Sequence, residues 1–313
     1  MDRKYATETL GLGAAGIARA AAILRDGGLV ALPTETVYGL AGRADRAESV
    51  AAIYRAKGRP DFNPLIVHVP DLAAAEELAL FDERARALVA RFWPGPLTLV
   101  LPFRDGAPVA GAVSAGLPTI ALRCPAHPVM RAVLEATGVP LAAPSANRSG
   151  AVSPTSAGHV LASLDGRIDA VVDGGSCARG LESTIIALRD NGWQLLREGP
   201  VAEAELTALL GPPLAITSAA IEAPGQLASH YSPGKPVRLG AEEAEAGEFL
   251  IGFGPAEGDC TLSVSGDLVE AAARLYDCLH QAAASDRPRV AVATVPEEGI
   301  GRAINDRLRR AAA

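Results

Sequence analysis

A chain of 313 residues is too long for one average domain and suits two. Its 49% apolar and 21% charged content excludes wholesale disorder, while only 4% aromatics leaves Ala, Val, Leu and Ile to fill the core. The net charge of −7, with 20 basic against 22 acidic groups over 1–211 and 9 against 14 over 212–313, counts against a protein that lives by clamping nucleic-acid backbone, because neutralising phosphates needs a basic surface.

The predicted elements run in an interleaved order. An Ala-rich helix over 13–26 carries Ile17, Ala20, Ala21 and Leu24 on one face and is stopped by Gly27-Gly28. A short buried strand follows at 29–32, then a helix at 46–56 and a strand at 64–69. Asp71 caps a helix over 72–79, and another helix spans 83–92. Strands at 97–101 and 119–123 precede a helix at 128–137 and a short strand at 140–143. Ser153 as N-cap and Pro154 at the first helical position open a helix over 155–163. A strand at 168–172 leads to two strands, 183–188 and 193–197, around the hairpin signal Asn191-Gly192. A helix at 202–210 closes this part. The pattern predicts an α/β fold with a mixed rather than all-parallel sheet.

Residues 211–236 are rich in Gly, Pro, Ser and Ala without a sustained period and read as a linker. Beyond it, strands at 237–239, 249–253, 261–264 and 289–294 alternate with helices at 267–284 and from about 299. The expected organisation is therefore a catalytic unit over 1–211 with a self-contained core, a linker over 212–236 and a small α/β domain over 237–313.

Several chemistries lack their signatures. Gly11-Leu-Gly13-Ala-Ala-Gly16 matches the dinucleotide fingerprint, but residues 4–10 (KYATETL) read as a poor strand to precede it. There is no GxxxxGK[ST], HExxH or GxSxG. Cys124, Cys177, Cys260 and Cys278 form no CxxC and read as small reduced hydrophobes of a cytoplasmic protein. The N-terminal MDRKYATETLGLG has no signal-peptide core, and no apolar run suits a membrane span.

What stands out is a series of Gly/Pro/Ser/Thr-bounded segments at strand ends: PTETVYGLAG (33–42), KGRPDFNPLIVHV (57–69), WPGPLTLVLP (93–102), PTIALRCP (118–125), APSANRSG (143–150), SPTSA (153–157), ESTII (182–186) and LREGP (196–200). Loops at strand ends are where α/β proteins hold ligands. Lysine occurs only at Lys4, Lys57 and Lys235 among 29 basic residues, so Lys57 beside Arg59 marks a place that wants a compact ammonium. Lys57, Arg59, Arg123 and Arg197 supply four cations. Ser145, Ser153 and Ser183 supply hydroxyls, and the helix that Ser153 opens favours anions at its N-terminus. Together they predict a nucleotide polyphosphate site built without a P-loop.

These segments, in this order, resemble the YrdC family, and SHYSPG (229–234) followed by a small α/β domain resembles its two-domain form, the L-threonylcarbamoyladenylate synthases. The resemblance covers nearly all of 1–211 and, more loosely, the remainder. It implies a twisted mixed-sheet domain with a concave basic cavity, plus a small Rossmann-like C-terminal domain. It implies a reaction that joins L-threonine, bicarbonate and ATP into L-threonylcarbamoyladenylate with release of pyrophosphate. The product would pass to a tRNA-modifying threonylcarbamoyl transferase for N6-threonylcarbamoyladenosine at position 37, with direct tRNA binding not required. Carried over, threonine would meet Thr36, His68, Arg123, Ala143 and Ser183. ATP would meet Lys57, Arg59, Asn63, Thr119, Ser145, Ser153, Arg197 and Tyr231, with Lys57 and Arg59 as the catalytic cations. Mg²⁺ would arrive on the ATP phosphates, with no protein ligand of its own. The alternatives are an RNA-binding or translation-associated module without adenylate synthesis, which the balanced charge disfavours, and carbamoyl-adenylate formation as in hydrogenase-maturation carbamoyltransferases, whose zinc modules have no counterpart here.

Overall fold

The computed structural model describes residues 6–215, 221–226 and 230–313; Lys4, the first two residues of the KYATETL segment and Ser229 of the linker motif lie outside them. In chain order the first part comprises β1 (Glu8–Leu10), α1 (Ala14–Arg25), β2 (Val30–Leu32), β3 (Gly39–Arg43), α2 (Ala47–Lys57), β4 (Ile66–His68), α3 (Leu72–Glu76), α4 (Glu83–Phe92), β5 (Leu97–Pro102), β6 (Thr119–Arg123), α5 (Pro128–Thr137), β7 (Leu141–Ala142), α6 (Ala157–Leu164), β8 (Ala170–Val172), β9 (Thr184–Arg189), β10 (Gly192–Arg197) and α7 (Glu203–Leu210). The second part adds β11 (Val237–Ala241), β12 (Glu248–Gly252), β13 (Cys260–Thr261), α8 (Leu268–Ala284), β14 (Arg289–Ala293) and α9 (Gly301–Ala312).

Local chemistry sets these boundaries. The side chains of Asp71 and Asp82 accept from Ala74 N and Ala85 N and cap α3 and α4. Pro128 opens α5, and Gly138, at φ 72°, ends it in the left-handed conformation that a β-carbon resists. The cap of α6 departs from expectation. Ser156, not Ser153, accepts from His159 N and begins the helix, because the Ser153 hydroxyl is already committed to a buried carboxylate.

Ten strands form one mixed sheet in the order β1-β8-β2-β3-β7-β4-β6-β5-β9-β10. Parallel pairs such as β4–β6 and β5–β9 sit beside antiparallel ones such as β5–β6 and β9–β10. On one face Ile53, Leu88, Val67, Leu99, Leu122 and Ile186 pack under α2 and α4. On part of the other, α1 and α5 bring Leu24, Met130 and Val133 against Val30, Leu141 and Val172. The hairpin loop is Asp190-Asn191, one residue earlier than the Asn-Gly signal, with Gly192 already paired to Arg189.

Residues 8–10, read as a poor strand, do pair in parallel with β8. The GxGxxG stretch therefore does lie between a strand and a helix. The strand is nevertheless an exposed three-residue edge, whereas dinucleotide folds place theirs at a buried topological switch point. Gly16 serves packing: a β-carbon there would stand 2.0 Å from the Gly11 carbonyl oxygen.

The second sheet is all-parallel in the order β11-β14-β12-β13, with α8 and α9 packed on it. Its core is shared. Val37, Val152 and Leu181 of the first part join Leu275, Tyr276, Leu279 and Ile304 in one cluster, so the core of 1–211 is not wholly self-contained. The connecting segment crosses from one part to the other over the sheet. Leu214 N donates to Trp193 O at 2.7 Å along the outer side of β10. The Glu222 carboxylate takes two bonds from Arg189, and Ala223 packs among Ile66, Ala121 and Ile185 on the face left open by α1 and α5.

Candidate active site

The open face of the sheet ends in a cavity of about 40 Å³ lined by strand-end residues and roofed by Pro224, Gly225, His230 and Tyr231 of the connecting segment. Its walls are assembled from distant parts of the chain. Thr34 follows β2, and its hydroxyl oxygen accepts from Thr36 N and Val37 N, forming a tight side-chain-closed turn. His68 ends β4 directly opposite Arg123 at the end of β6. Ala143 and Ser145 follow β7, Ser183 precedes β9, and Arg197 ends β10.

Arg123 Nε donates to Gly95 O, Nη1 to Thr36 Oγ1 and Nη2 to Glu35 Oε1. Burial pushes the Glu35 carboxyl up, but the Arg123 charge together with the hydrogen bonds from Arg123 and from backbone N–H groups brings it below its usual value. Arg197 donates from Nε to the Ser183 carbonyl at 3.0 Å and from Nη2 to Ser183 Oγ at 3.1 Å. Ser183 Oγ also lies 2.7 Å from Thr98 Oγ1, so it has no base beside it and is no activated nucleophile.

Lys57 ends α2, and its ammonium donates to the carbonyls of Ser145 and Asn147, both at 2.5 Å. It tethers the APSAN loop instead of facing the cavity. Arg59 lines the cavity and holds its own loop through Asn63 Oδ1, Asn63 O and Pro64 O. Thr119 opens β6 paired with Pro102 and lies outside the cavity lining. Ser153, fully buried, donates to Glu182 Oε1 at 2.5 Å behind the wall.

Of the residues singled out from sequence, the lining therefore unites His68, Arg123, Ala143 and Ser183 with Arg59, Ser145, Arg197 and Tyr231. Thr36, Lys57, Asn63, Thr119 and Ser153 stand outside it, all but Thr119 bonded to lining residues. Sequence reasoning does not single out Glu35, Glu182 or Asn147, whereas His230 stands beside Tyr231 in the linker cluster HYSP (230–233) that it marks as unlike a passive tether. Glu35 and Glu182 sit inside the quoted PTETVYGLAG and ESTII segments, but their roles depend on Arg123 and Arg307, far away in the chain.

The electrostatics favour an anion. Lys57, Arg59, Arg123 and Arg197 are all buried. Burial and then the neighbouring Arg59 push the Lys57 ammonium well below its usual value. Burial also brings Arg59 down to about 10 and lowers Arg197. Cations destabilised by burial and by one another are relieved when an anion arrives. Burial, then the Arg123 charge, brings the His68 imidazole to about 3, so it is neutral near pH 7. Among the described residues the buried side-chain polar atoms without a partner are His68 Nδ1, His230 Nδ1 and Asn147 Oδ1. Two belong to the cavity lining and the third to the loop that Lys57 tethers, so the unmet hydrogen-bonding capacity lies where a ligand would sit. No group of three or more His, Cys, Asp or Glu side chains among the described residues could hold a metal ion, and no helix there is long and apolar enough to cross a membrane.

A mixed sheet with a cation-rich cavity at its strand ends, roofed by the segment that leads to a second domain, matches known proteins. The family model for Sua5, YciO and YrdC, described as "Telomere recombination", matches residues 22–199, and that for the "Threonylcarbamoyl-AMP synthase, C-terminal domain" matches residues 201–313. This chain belongs to the Sua5/YciO/YrdC family. It is 40% identical to the threonylcarbamoyl-AMP synthase of Bacillus subtilis, over 95% of this chain and 92% of that protein. It is 37% identical to that of Pyrococcus abyssi, over 93% and 92%. The crystal structure of P. abyssi Sua5 complexed with L-threonine superposes with a TM-score of 0.90 at 35% identity, covering 98% of both chains.

Proposed function

We propose that this chain synthesises L-threonylcarbamoyladenylate from L-threonine, bicarbonate and ATP, in the cytoplasm, for the tRNA modification that consumes this adenylate. The observation that carries the reading is the convergence of three buried arginines, Arg59, Arg123 and Arg197, with the unpartnered Nδ1 of His68 in one cavity, in a chain alike over nearly its whole length to threonylcarbamoyl-AMP synthases.

Threonine meets Arg123, His68, Ala143 and Ser183, its carboxylate drawn to the Arg123 guanidinium that Glu35 and Thr36 hold in place. The threonine amine, once deprotonated, adds to CO₂ derived from bicarbonate and gives the carbamate. A carbamate oxygen then attacks the α-phosphorus of ATP in line. That P–O bond forms as the bond to the β-phosphate bridging oxygen breaks, and pyrophosphate leaves. Both nucleophiles belong to substrates, which agrees with a cavity lined by neither cysteine nor lysine. The protein's part is positioning and charge stabilisation by Arg59, Arg197 and the Lys57-tethered loop. Mg²⁺ would travel with the ATP phosphates and shield their charge, because Glu182, the carboxylate of the cavity lining, is already occupied by three donors.

At about 40 Å³ the cavity holds neither threonine nor ATP, since small-molecule sites run to roughly 300–1,000 Å³. Binding therefore requires the roof over Arg197 and Ser145 to lift and reclose, which excludes water from the reactive adenylate. Pyrophosphate release measured with each substrate omitted in turn tests the function. Release is expected only with all three present and without tRNA; equal turnover lacking threonine would refute it.

A further inference from the structure

The last helix reaches the cavity without lining it. Arg307 of α9 is 0% exposed. Its Nε donates to Glu182 Oε2 at 3.2 Å, its Nη2 to the Glu198 carbonyl at 2.8 Å and its Nη1 to Asp306 at 2.9 Å. Its Cζ stands 5.5 Å from the centroid of the Tyr231 ring. Three of these partners belong to or adjoin separate cavity walls. Glu182 precedes Ser183, Glu198 follows Arg197, and Tyr231 is the roof. Tyr276 of α8 repeats the pattern: its hydroxyl donates to Glu182 Oε2 at 2.7 Å and its ring stacks 5.5 Å from that of Tyr231.

The apolar cluster shared by Val37, Val152 and Leu181 with Leu275 and Leu279 already packs the two parts together. A buried guanidinium has to recover its lost hydration through bonds, and replacing such ion pairs by hydrophobic residues is often neutral or stabilising. Here the bonds are aimed at one place. Ser153 from below, with Tyr276 and Arg307 from the second domain, fixes the Glu182 carboxylate from three sides.

We propose that Arg307 is a positioning residue for the nucleotide half of the cavity, acting from the C-terminal domain through Glu182, the Glu198 carbonyl and the Tyr231 ring. This rests on the reading of Arg197 and Tyr231 as ATP contacts. The C-terminal domain then governs ATP affinity without touching ATP, and Tyr276 assists by holding the same carboxylate and the same ring.

The full chain carrying Arg307→Lys or Tyr276→Phe tests this by three measurements: ATP affinity by isothermal titration, steady-state KM for ATP and for threonine, and the melting temperature. Lysine keeps a charge near Glu182 but loses the planar fork that reaches Glu198 and stacks on Tyr231. The Kd and KM for ATP are expected to rise roughly tenfold or more, the loss typical of one charge-assisted hydrogen bond, while the KM for threonine moves far less. Tyr276→Phe should shift both in the same direction by a smaller factor. Wild-type ATP affinity in both folded variants, with or without a lower melting temperature, would reduce Arg307 to packing and overturn the proposal. Should Arg307→Lys fail to fold, Tyr276→Phe decides. Failure of the underlying function shows separately, as a wild-type chain that binds no ATP or releases no pyrophosphate.

Discussion

Arg123 Nη2 lies 2.6 Å from Glu35 Oε1, so the guanidinium placed to receive a substrate carboxylate already holds one from the protein. Of the five N–H groups of a guanidinium, three are donated to Gly95, Thr36 and Glu35, which leaves two. Glu35 in turn accepts from Ala126 N and so pins the arginine in one orientation.

Glu35→Gln should therefore weaken threonine selectively. Losing the charged partner costs about 1.5–3 kcal/mol if it acts only through Arg123, or about 10–150-fold in the KM for threonine. The KM for ATP should stay close to wild type. Arg123→Ala should show the same selectivity more strongly. A larger effect on ATP than on threonine in either variant would place the threonine pocket elsewhere.

Lys57 gives a sharper expectation than a free phosphate-binding cation would. Its ammonium bridges two carbonyls at 2.5 Å, a geometry that a planar guanidinium cannot reproduce. Lys57→Arg and Lys57→Ala should both lower kcat, the latter by on the order of 10²–10³, and both should lower the melting temperature because the APSAN loop loses its tether. A loss of kcat with unchanged melting would mean that the ammonium leaves the carbonyls to meet phosphate.

The roof depends on Gly225. At φ +87°, its β-carbon position lies 3.0 Å from Arg197 Cδ and 3.2 Å from Tyr231 Oη. Gly225→Ala meets both backbone strain and a crowded neighbour. The roof should close poorly, raising the KM for ATP and hydrolysing more adenylate per pyrophosphate released. Unchanged product yield and KM would show that the roof tolerates the methyl group and need not close tightly.

Acid should loosen the protein before its carboxylates titrate. Burial brings His68 and His230 to about 3 and His280, stacked 3.8 Å from His159, to about 4, against about 6.5 in an unfolded chain. Between those values the unfolded state binds more protons, so stability rises with pH there. It is complete above about pH 6.5 and is lost progressively as the pH falls toward 4. Melting temperatures from pH 8 to 4.5 should hold and then decline from near 6.5. His280→Asn should flatten part of that decline.

The amphipathic helices and the buried strands were legible because each is announced locally. Asp71, Gly58 and Gly138 terminate or cap their helices as their chemistry requires, and the hydrophobic runs LTLVL and TIALR pair antiparallel within the sheet. The strand-end segments by themselves point to the cavity. What escaped was a set of contacts decided by distant partners. The edge strand at 8–10 exists only because β8 stands beside it. Ser153 stands where a cap is expected, yet its hydroxyl goes to Glu182, 29 positions on. Arg307 lies in a helix whose charge pattern reads as solvated, and its role depends on Glu182 125 positions away.

Leu214, bonded to Trp193 along the flank of β10, has a consequence for anyone dividing this chain. It occupies the outermost row of backbone donors and acceptors of a ten-stranded sheet. An unpaired row of that kind is a template on which a second polypeptide can add a strand. A fragment ending at residue 211 would expose it, together with the apolar surface of Val37, Val152 and Leu181. Such a fragment is expected to self-associate as its concentration rises, and a charged residue in place of the outward-facing Gln194 should restrain it.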